Sequence, residues 1–217
     1  MNARRAVGRT VGRTVGRPVD GDGARTRQRI LDVALEQLSE RGYGKTTFQS
    51  IAAAVGITSR AVYHYFPSKA ALVTTLLEQW RDFTLARNEH VATENLPLDE
   101  RLVLVLAESM AIYDERPELA AFATRVLGDA VRYPKLSDGF RSSRNGLTSF
   151  YRKLVNEAVA EGEIAEQLDP RGLVDLISGL TYGMATVAAT SRERHRAAVE
   201  SLAALLRGEL LTGPARR

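Results

Sequence analysis

Side chains that can bind nucleic acid are concentrated in residues 59–69, which read SRAVYHYFPSK. If this segment is a helix, a rotation of about 100° per residue turns Val62 and Phe66 to one side. The opposite side then carries Ser59, Arg60, Tyr63 and His64. An arginine in the first turn of such a helix can bond O6 and N7 of guanine, and a serine there can bond a base or a phosphate. The pattern predicts a helix that contacts DNA, with Arg60 as its main base reader.

Several residues near this helix suit contacts with the phosphate backbone. Tyr63 and His64 can bond phosphates or touch a thymine methyl group. Lys69 opens the next helix, where amide hydrogens also favour a phosphate. Polar residues at the start of the preceding helix can bind the other strand. The predicted DNA-binding residues are Thr46, Thr47, Gln49, Thr58, Ser59, Arg60, Tyr63, His64 and Lys69.

Core packing is the alternative interpretation of this aromatic segment, because aromatic residues at helical spacing usually pack a core. A buried position would leave the charged or polar side chains of Arg60 and His64 in need of partners. Their place opposite the apolar side therefore favours DNA contact.

Three short helices are expected to position this surface. The first helix is expected to end at Gly42, and its apolar stripe consists of Ile30, Leu31, Ala34, Leu35 and Leu38. Thr47 can cap a second helix that ends at Gly56, and Thr58 can cap a third that Pro67 stops. The last two helices, joined by VGIT, are typical of a helix-turn-helix, whose second helix lies in the major groove.

Beyond Lys69 every long segment has helical periodicity, and prolines stand at most of the joints. The predicted helices lie near residues 69–93, 98–115, 118–132, 136–161, 170–190 and 192–211. The fold class is therefore predicted to be all-α, with about nine helices. An N-terminal three-helix domain precedes a larger helical domain.

Positive charge is concentrated at the front of the chain. Residues 1–71 contain 12 Lys and Arg against 5 Asp and Glu, whereas the remainder contains 18 against 21. A basic module joined to a mildly acidic one is typical of a protein that binds a polyanion. The alternative is a solvated basic tail, because 8 of the 12 cations precede Ile30. The absence of cysteine and of a secretory or bilayer-length apolar segment predicts a cytoplasmic protein with no membrane partner.

The first residues repeat Val-Gly-Arg and contain few large side chains. Such a segment cannot bury enough surface to offset its ordering entropy, so residues 1–23 are predicted to be a disordered basic arm. Gly16-Arg17-Pro18 is similar to the core of an AT-hook, which enters the minor groove, but a plain basic tail is the favoured interpretation.

Enzyme signatures are missing from the sequence: it has no Gly-x-Gly-x-x-Gly, P-loop, His-Glu-x-x-His or Gly-x-Ser-x-Gly motif. Only three histidines are present; His90 and His195 are expected to be ordinary surface histidines, and neither has metal-ligand spacing around it. We therefore expect no enzyme activity, catalytic residue, metal or cofactor.

Residues 26–76 resemble the DNA-binding domain of TetR-family transcriptional regulators. The matching segments are RILDVALEQLSERGY, the paired threonines before the second helix, IAAAVGIT and VYHYFPSKAAL. The order His64-Tyr65 reverses the family's usual order, and Gln49 stands where a cation is common. The resemblance implies a homodimeric repressor that binds a palindromic operator. It also implies a C-terminal domain whose small-molecule ligand releases the DNA.

The chain is accordingly divided into a basic arm (1–23), a helix-turn-helix DNA-binding domain (24–71) and a helical regulatory domain (72–217). Large side chains of the middle helices are candidates to line a ligand pocket, although each can equally belong to the core. These candidates are Trp80, Phe83, Met110, Tyr113, Phe122 and Phe150.

The last two long helices are the predicted dimer surface, because two glycines one turn apart permit close helix approach beside an apolar stripe. An intramolecular core is the alternative. The predicted interface residues are Leu176, Gly179, Leu180, Gly183, Val187, Val199, Leu202 and Leu206. The alternative function is a non-specific architectural DNA-binding protein that uses its arginine-rich arm.

Overall fold

Helices make up nearly all of residues 20–209, the part of the chain that this computed structural model describes; side chains are described from Asp22 onward. No strand occurs within these residues, which confirms the all-α fold class. The helices are α1 (Asp20–Lys45), α2 (Phe48–Val55), α3 (Ser59–Tyr65), α4 (Lys69–Asn88), α5 (Leu98–Glu115), α6 (Pro117–Arg132), α7 (Ser137–Ala160), α8 (Pro170–Thr190) and α9 (Arg192–Leu206), with 3-10 turns at His90–Thr93 and Pro134–Leu136.

The start of α1 differs from the prediction. Helix α1 begins at Asp20, inside the segment expected to be the arm of residues 1–23. Residues 1–19, which include the Val-Gly-Arg repeats and Gly16-Arg17-Pro18, lie outside the described residues, as do residues 210–217.

Gly42 interrupts α1 where the sequence predicts its end. Its φ of 75° and ψ of 176° are not helical, and the positive φ is a conformation that glycine adopts at little cost. The chain bends there and continues as one short turn to Lys45. This bend brings the backbone amide of Tyr43 within 2.8 Å of the Asp129 carboxylate on α6.

The predicted caps of α2 and α3 are confirmed. The hydroxyl of Thr47 accepts from the Ser50 amide at 3.0 Å, while the Ser50 hydroxyl accepts from the Thr47 amide at 3.2 Å. Gly56 ends α2 with a φ of 78°, and the Thr58 hydroxyl accepts from the Ala61 amide at 3.1 Å. These caps hold two short helices that could not persist alone.

No linker separates the small N-terminal domain from the rest of the chain. The Ser68 hydroxyl accepts from the Ala71 amide and begins α4 directly after α3. The inner side of α4 is buried along four turns, so this helix belongs to both parts of the molecule. Helix α1 also packs along α6, where the Arg125 guanidinium donates to the Ser39 carbonyl oxygen at 2.6 Å.

Helix α8 packs against α6, α7 and α9 but leaves much of its apolar surface exposed. By length and composition it is also long and apolar enough to cross a membrane, so the expectation that no apolar segment reaches bilayer length is corrected for α8. Leu176 is 57% exposed, and an added Cβ at Gly179 or Gly183 would meet no atom within 4 Å. This side of α8 is available for a further partner.

Candidate DNA-binding face and regulatory cavity

The predicted DNA-contacting side of α3 is open to solvent. Val62 and Phe66 point into the core and are almost fully buried, whereas Arg60 and His64 are exposed and Tyr63 is 58% exposed. Within the described residues, no hydrogen bond or ion pair engages the Arg60 guanidinium, so all of its donors can reach a ligand. Ser59 is half-buried at the start of the helix.

The ring of Tyr63 is held in place by the preceding helix. It meets the Phe48 ring edge-on, with centroids 4.7 Å apart. Phe48 is buried at the first position of α2, so this contact fixes α3 relative to α2 while the remainder of the Tyr63 side chain stays exposed. The other exposed ring, that of His64, lies 5.6 Å from the Tyr65 ring.

The predicted phosphate-binding residues of α2 have different environments. Thr47 and Gln49 are exposed at the start of α2, and so is Thr58, the cap of α3. Thr46 is 1% exposed, and its hydroxyl donates to the Gly42 carbonyl oxygen at 2.9 Å. The prediction that the Thr46 side chain contacts DNA is therefore corrected, because this side chain is part of the bend after α1.

The Lys69 ammonium also has an internal role. It donates to the carbonyl oxygens of Tyr43 and Thr46 and lies 4.0 Å from the centre of the Tyr43 ring. Burial lowers the pKa of Lys69, and the nearby Asp129 carboxylate partly offsets that effect. The ammonium thus joins the end of α1 to the start of α4, and the phosphate contact at Lys69 stays a prediction.

Two arginines of α1 were counted in the sequence as part of a basic tail, but they contact the helix-turn-helix. Arg29 donates to the Val55 carbonyl oxygen at the end of α2 at 2.8 Å. The Arg27 guanidinium lies 5.0 Å from the centre of the Phe66 ring. Both arginines lie in the first turns of a segment with helical periodicity, and this pattern could have indicated that they belong to the folded domain rather than to a tail.

A small cavity of about 30 Å³ lies among α4, α5, α7 and α8. Of the six predicted pocket residues, Trp80 and Tyr113 line it. None of the lining residues is acidic or basic. They are Trp80, Thr84, Asn88, Val105, Leu106, Ser109, Ile112, Tyr113, Leu147, Tyr151, Thr181 and Met184.

Three lining residues, Trp80, Thr84 and Asn88, follow one another at intervals of four along α4. The Asn88 side-chain amide donates to the Thr84 carbonyl oxygen at 2.8 Å. Its own oxygen, Oδ1, and the Thr84 hydroxyl are buried and have no hydrogen-bond partner in the described part of the chain. Only the aromatic member of this row was predicted, although the spacing of four from Trp80 indicates the other two.

Burial keeps the phenols of the cavity neutral. Removal from water raises the pKa of both Tyr113 and Tyr151, and the Tyr151 hydroxyl lies 3.1 Å from that of Thr181. Behind Tyr113 stands the imidazole of His195, with ring centroids 5.7 Å apart. His195 is 3% exposed, so its interpretation as a surface histidine is wrong; burial lowers its pKa, partly offset by Asp114.

The other four predicted pocket residues lie elsewhere. Phe122 is fully buried in the core, and Phe150 packs on the Tyr151 ring at 5.5 Å without lining the cavity. Phe83 lines a separate crevice between α1 and α4, and Met110 is half-buried on α5 without lining the cavity. Both sides of these helices carry apolar residues, so hydrophobic pattern alone did not identify the side that faces the cavity.

An apolar groove of about 90 Å³ adjoins the cavity on the side of α5, α8 and α9. Groove and cavity share three residues, Val105, Leu106 and Thr181. The rest of the groove consists of Leu102, Leu173, Leu176, Ile177, Leu180, Leu202 and Leu206.

The predicted dimer residues largely surround this groove. Leu176, Leu180, Leu202 and Leu206 line it, while Gly179 and Gly183 are exposed beside it and Val187 is half-buried. Val199 is the exception. It is 6% exposed and faces inward with His195 and Ala203, because these residues form the buried side of α9.

Comparison with known proteins relates this arrangement to transcriptional regulators. Residues 30–76, which contain α2, α3 and the start of α4, match the family model "Bacterial regulatory proteins, tetR family". The regulator UidR of Escherichia coli K12 is 25% identical over 186 residues, covering 85% of this chain and 93% of UidR. The repressor KstR2 of Mycobacterium tuberculosis H37Rv is 28% identical over 155 residues, covering 70% and 73%.

Solved structures share the fold along most of the chain. GusR of Salmonella enterica superimposes with a TM-score of 0.72 at 25% identity, covering 86% of this chain and 95% of GusR. FadR of Bacillus subtilis, solved with stearoyl-CoA, gives a TM-score of 0.73 at 22% identity over 85% of this chain and 99% of FadR. The second similarity concerns the fold alone.

Proposed function

Because this chain belongs to the TetR family of transcriptional regulators, we propose that it is a repressor that binds a palindromic operator as a homodimer and is released by a small molecule. In this proposal residues 24–71 bind DNA and residues 72–217 bind the ligand and the second subunit. The protein acts in the cytoplasm on double-stranded DNA, without a membrane partner or a cofactor.

The observation that carries the proposal is the exposed, unengaged guanidinium of Arg60 in the first turn of α3. A helix-turn-helix presents this part of its second helix to base edges, where arginine bonds guanine bidentately. Thr47 and Gln49 at the start of α2 and Tyr63 and His64 on α3 are also exposed and can bond phosphates. In this proposal Arg60 reads bases and these residues position the helix on the DNA backbone.

A second copy is the partner proposed for the exposed side of α8. The open glycines allow two α8 helices to approach closely, and each α9 completes a four-helix bundle. A two-fold axis there sets the two α3 helices to read half-sites about 34 to 36 Å apart. The same contact covers Leu176 and Leu180, which would otherwise remain an exposed apolar patch.

Helix α4 is the proposed lever between ligand and DNA. Its first residue, Lys69, holds the end of α1, and three of its later residues line the cavity. A ligand that binds better to subunits with misplaced α3 helices would shift the population away from the DNA-bound form. That KstR2 is a repressor and that FadR was solved with stearoyl-CoA support this scheme.

A footprint of the purified full-length protein on the DNA upstream of its own gene tests the proposal. The expected result is a protected palindrome with half-sites one helical turn apart. Arg60→Ala should weaken binding to that site by about 1 to 3 kcal/mol and leave binding to random DNA nearly unchanged. Arg152→Ala, an exposed arginine on α7, is the matched control and should have little effect on either DNA.

Equal losses on operator and random DNA would instead favour the architectural DNA-binding protein. Salt dependence separates the two further, since each phosphate contact adds about −0.9 to the slope of log K against log salt concentration. A protected region without two-fold symmetry would contradict the dimeric repressor.

A further inference from the structure

The amide group of Asn88 is buried in a position that is only half satisfied. The residue is 3% exposed, and its nitrogen donates to the Thr84 carbonyl oxygen. Asn88 and Thr84, one turn earlier, both line the cavity, and neither the Asn88 oxygen nor the Thr84 hydroxyl has a hydrogen-bond partner among the described residues. Buried polar atoms without partners are costly in a folded protein and need a specific explanation.

A hydroxyl group of a ligand can satisfy both atoms. The Asn88 oxygen can only accept a hydrogen bond, whereas the Thr84 hydroxyl can donate as well as accept. Residues four apart on a helix are neighbours on its surface. A ligand hydroxyl placed between them donates to Asn88 Oδ1 and accepts from Thr84 Oγ1. A carbonyl or ether oxygen can use only Thr84.

The surroundings exclude a charged group at this position. No lining residue is acidic or basic, and the phenols of Tyr113 and Tyr151 stay protonated because burial raises their pKa. A carboxylate, sulfonate or phosphate here would lose its water without gaining a cation. Apart from the neutral hydroxyl-bearing residues Ser109 and Thr181, the remaining walls are apolar or aromatic, with the Trp80 ring one turn from Thr84.

The size of the site favours a compact molecule. The cavity of about 30 Å³ has room for about two water molecules, since one needs about 10 to 15 Å³ on this measure. A ligand must therefore separate α4 from α5 and α8, or extend past Val105, Leu106 and Thr181 into the apolar groove. Such a separation is what moves the lever helix in the proposed function.

We propose that the effector is an uncharged, compact and mostly apolar molecule with a hydroxyl group, and that Thr84 and Asn88 recognise this hydroxyl. The assignment rests on the proposed function for its regulatory meaning, but binding can be measured without DNA. Trp80 lines the cavity and is the chain's only tryptophan, so its fluorescence reports occupancy of this site.

Three probes with the same bicyclic skeleton separate the requirements: borneol carries a hydroxyl, camphor a carbonyl and camphorsulfonate an added negative charge. Titration of the full-length protein should show borneol binding about tenfold more tightly than camphor, the ratio expected for one hydrogen bond to an otherwise unpaired acceptor. Camphorsulfonate should bind at least tenfold more weakly than camphor.

Two variants assign the preference to the two side chains. Asn88→Leu removes the acceptor, so the borneol to camphor ratio should fall to about one while camphor affinity is kept. Thr84→Val should weaken both neutral probes, because both accept from its hydroxyl. Thr75→Val is the matched control on the same helix: its hydroxyl donates to the Ala71 carbonyl oxygen outside the cavity, and the ratio should stay near ten.

No response of Trp80 to borneol, a ratio near one in the unaltered protein, or tighter binding of the sulfonate would overturn the inference. So would stearoyl-CoA binding that competes with borneol and is unchanged by both cavity variants. DNA release is scored separately. If borneol binds with the stated preference but does not release DNA, the proposed effector response is contradicted and the inference stays intact. If a charged effector releases DNA, only the inference is contradicted.

Discussion

The hydrogen bond between the Tyr43 amide and the Asp129 carboxylate offers a direct test of how the end of α1 is joined to α6. The two atoms are 2.8 Å apart, at the bend that Gly42 makes possible. Burial lowers the pKa of Lys69, whose ammonium donates to the carbonyl oxygen of Tyr43, and the same carboxylate partly offsets that effect. Asp129→Ala removes the acceptor and the charge together and leaves the rest of α6 unaltered.

The expected loss follows from the type of bond and its setting. A hydrogen bond to a charged group contributes about 1.5 to 3 kcal/mol. Because Asp129 is partly exposed, the contribution of its bond to Tyr43 should be near the lower limit. We expect the free energy of unfolding to fall by about 1 to 2 kcal/mol. For a chain of this size each kcal/mol lowers Tm by about 2 to 4 °C, so Tm should fall by about 2 to 8 °C.

Thermal unfolding at fixed protein concentration measures the loss, and hydrogen exchange locates it. The segment around Tyr43 should exchange about five- to thirtyfold faster in Asp129→Ala, because 1.4 kcal/mol corresponds to about tenfold. Asp129→Asn retains a neutral acceptor and should give about half of the loss. Asp138→Ala is the control, since that carboxylate is almost fully exposed and its ion pair should contribute little. An unchanged Tm together with unchanged exchange at Tyr43 would refute the reasoning.

Three further outcomes are expected. Burial lowers the pKa of His195 in the folded protein, so on acidification the unfolded chain takes up this proton at a higher pH than the folded protein does. The stability linked to this residue is therefore present above about pH 6.5 and falls as the pH decreases below that value. Thermal unfolding of His195→Phe between pH 7 and 5 should be less pH-dependent, while exposed His90→Phe should behave like the unaltered protein. Thr47→Ala removes the cap of α2 and should lower the free energy of unfolding, measured by denaturant titration, by about 1 kcal/mol. Thr47→Asn retains a capping side chain and should keep most of the stability. Gly183→Leu should be monomeric by light scattering and should keep its helicity. Gly128→Leu on α6, where an added side chain also meets open space, should remain dimeric. A dimeric Gly183→Leu would argue against the α8 interface.

Features set by local chemistry were predictable from the sequence. The caps at Thr47 and Thr58 and the stops at Gly42 and Gly56 depend on a few neighbouring backbone groups, and the structure has each of them. The exposed side of α3 was also predictable, because Val62 and Phe66 define the buried side of a helix of only seven residues. One apolar pair is enough to orient so short an element.

Features set by packing between distant elements were not predictable. Lys69 was predicted only as a phosphate ligand, and its bonds to carbonyl oxygens that the bend after α1 brings within reach were missed. His195 lies in a polar stretch of sequence and is nevertheless covered by Tyr113 from α5. Phe122 was expected at a cavity and fills the core, since both sides of the middle helices are apolar and only the tertiary arrangement separates them.

The position of Thr84 and Asn88 has a practical consequence for building sensors from this scaffold. These two residues approach the cavity from α4, whereas Val105, Leu106 and Thr181 form the wall that also borders the groove. If the proposed effector site and dimer surface are right, libraries randomised at 84 and 88 can search for new analytes without altering the residues of the dimer surface. Libraries at the shared wall would alter recognition and quaternary structure together, and their hits would be harder to interpret.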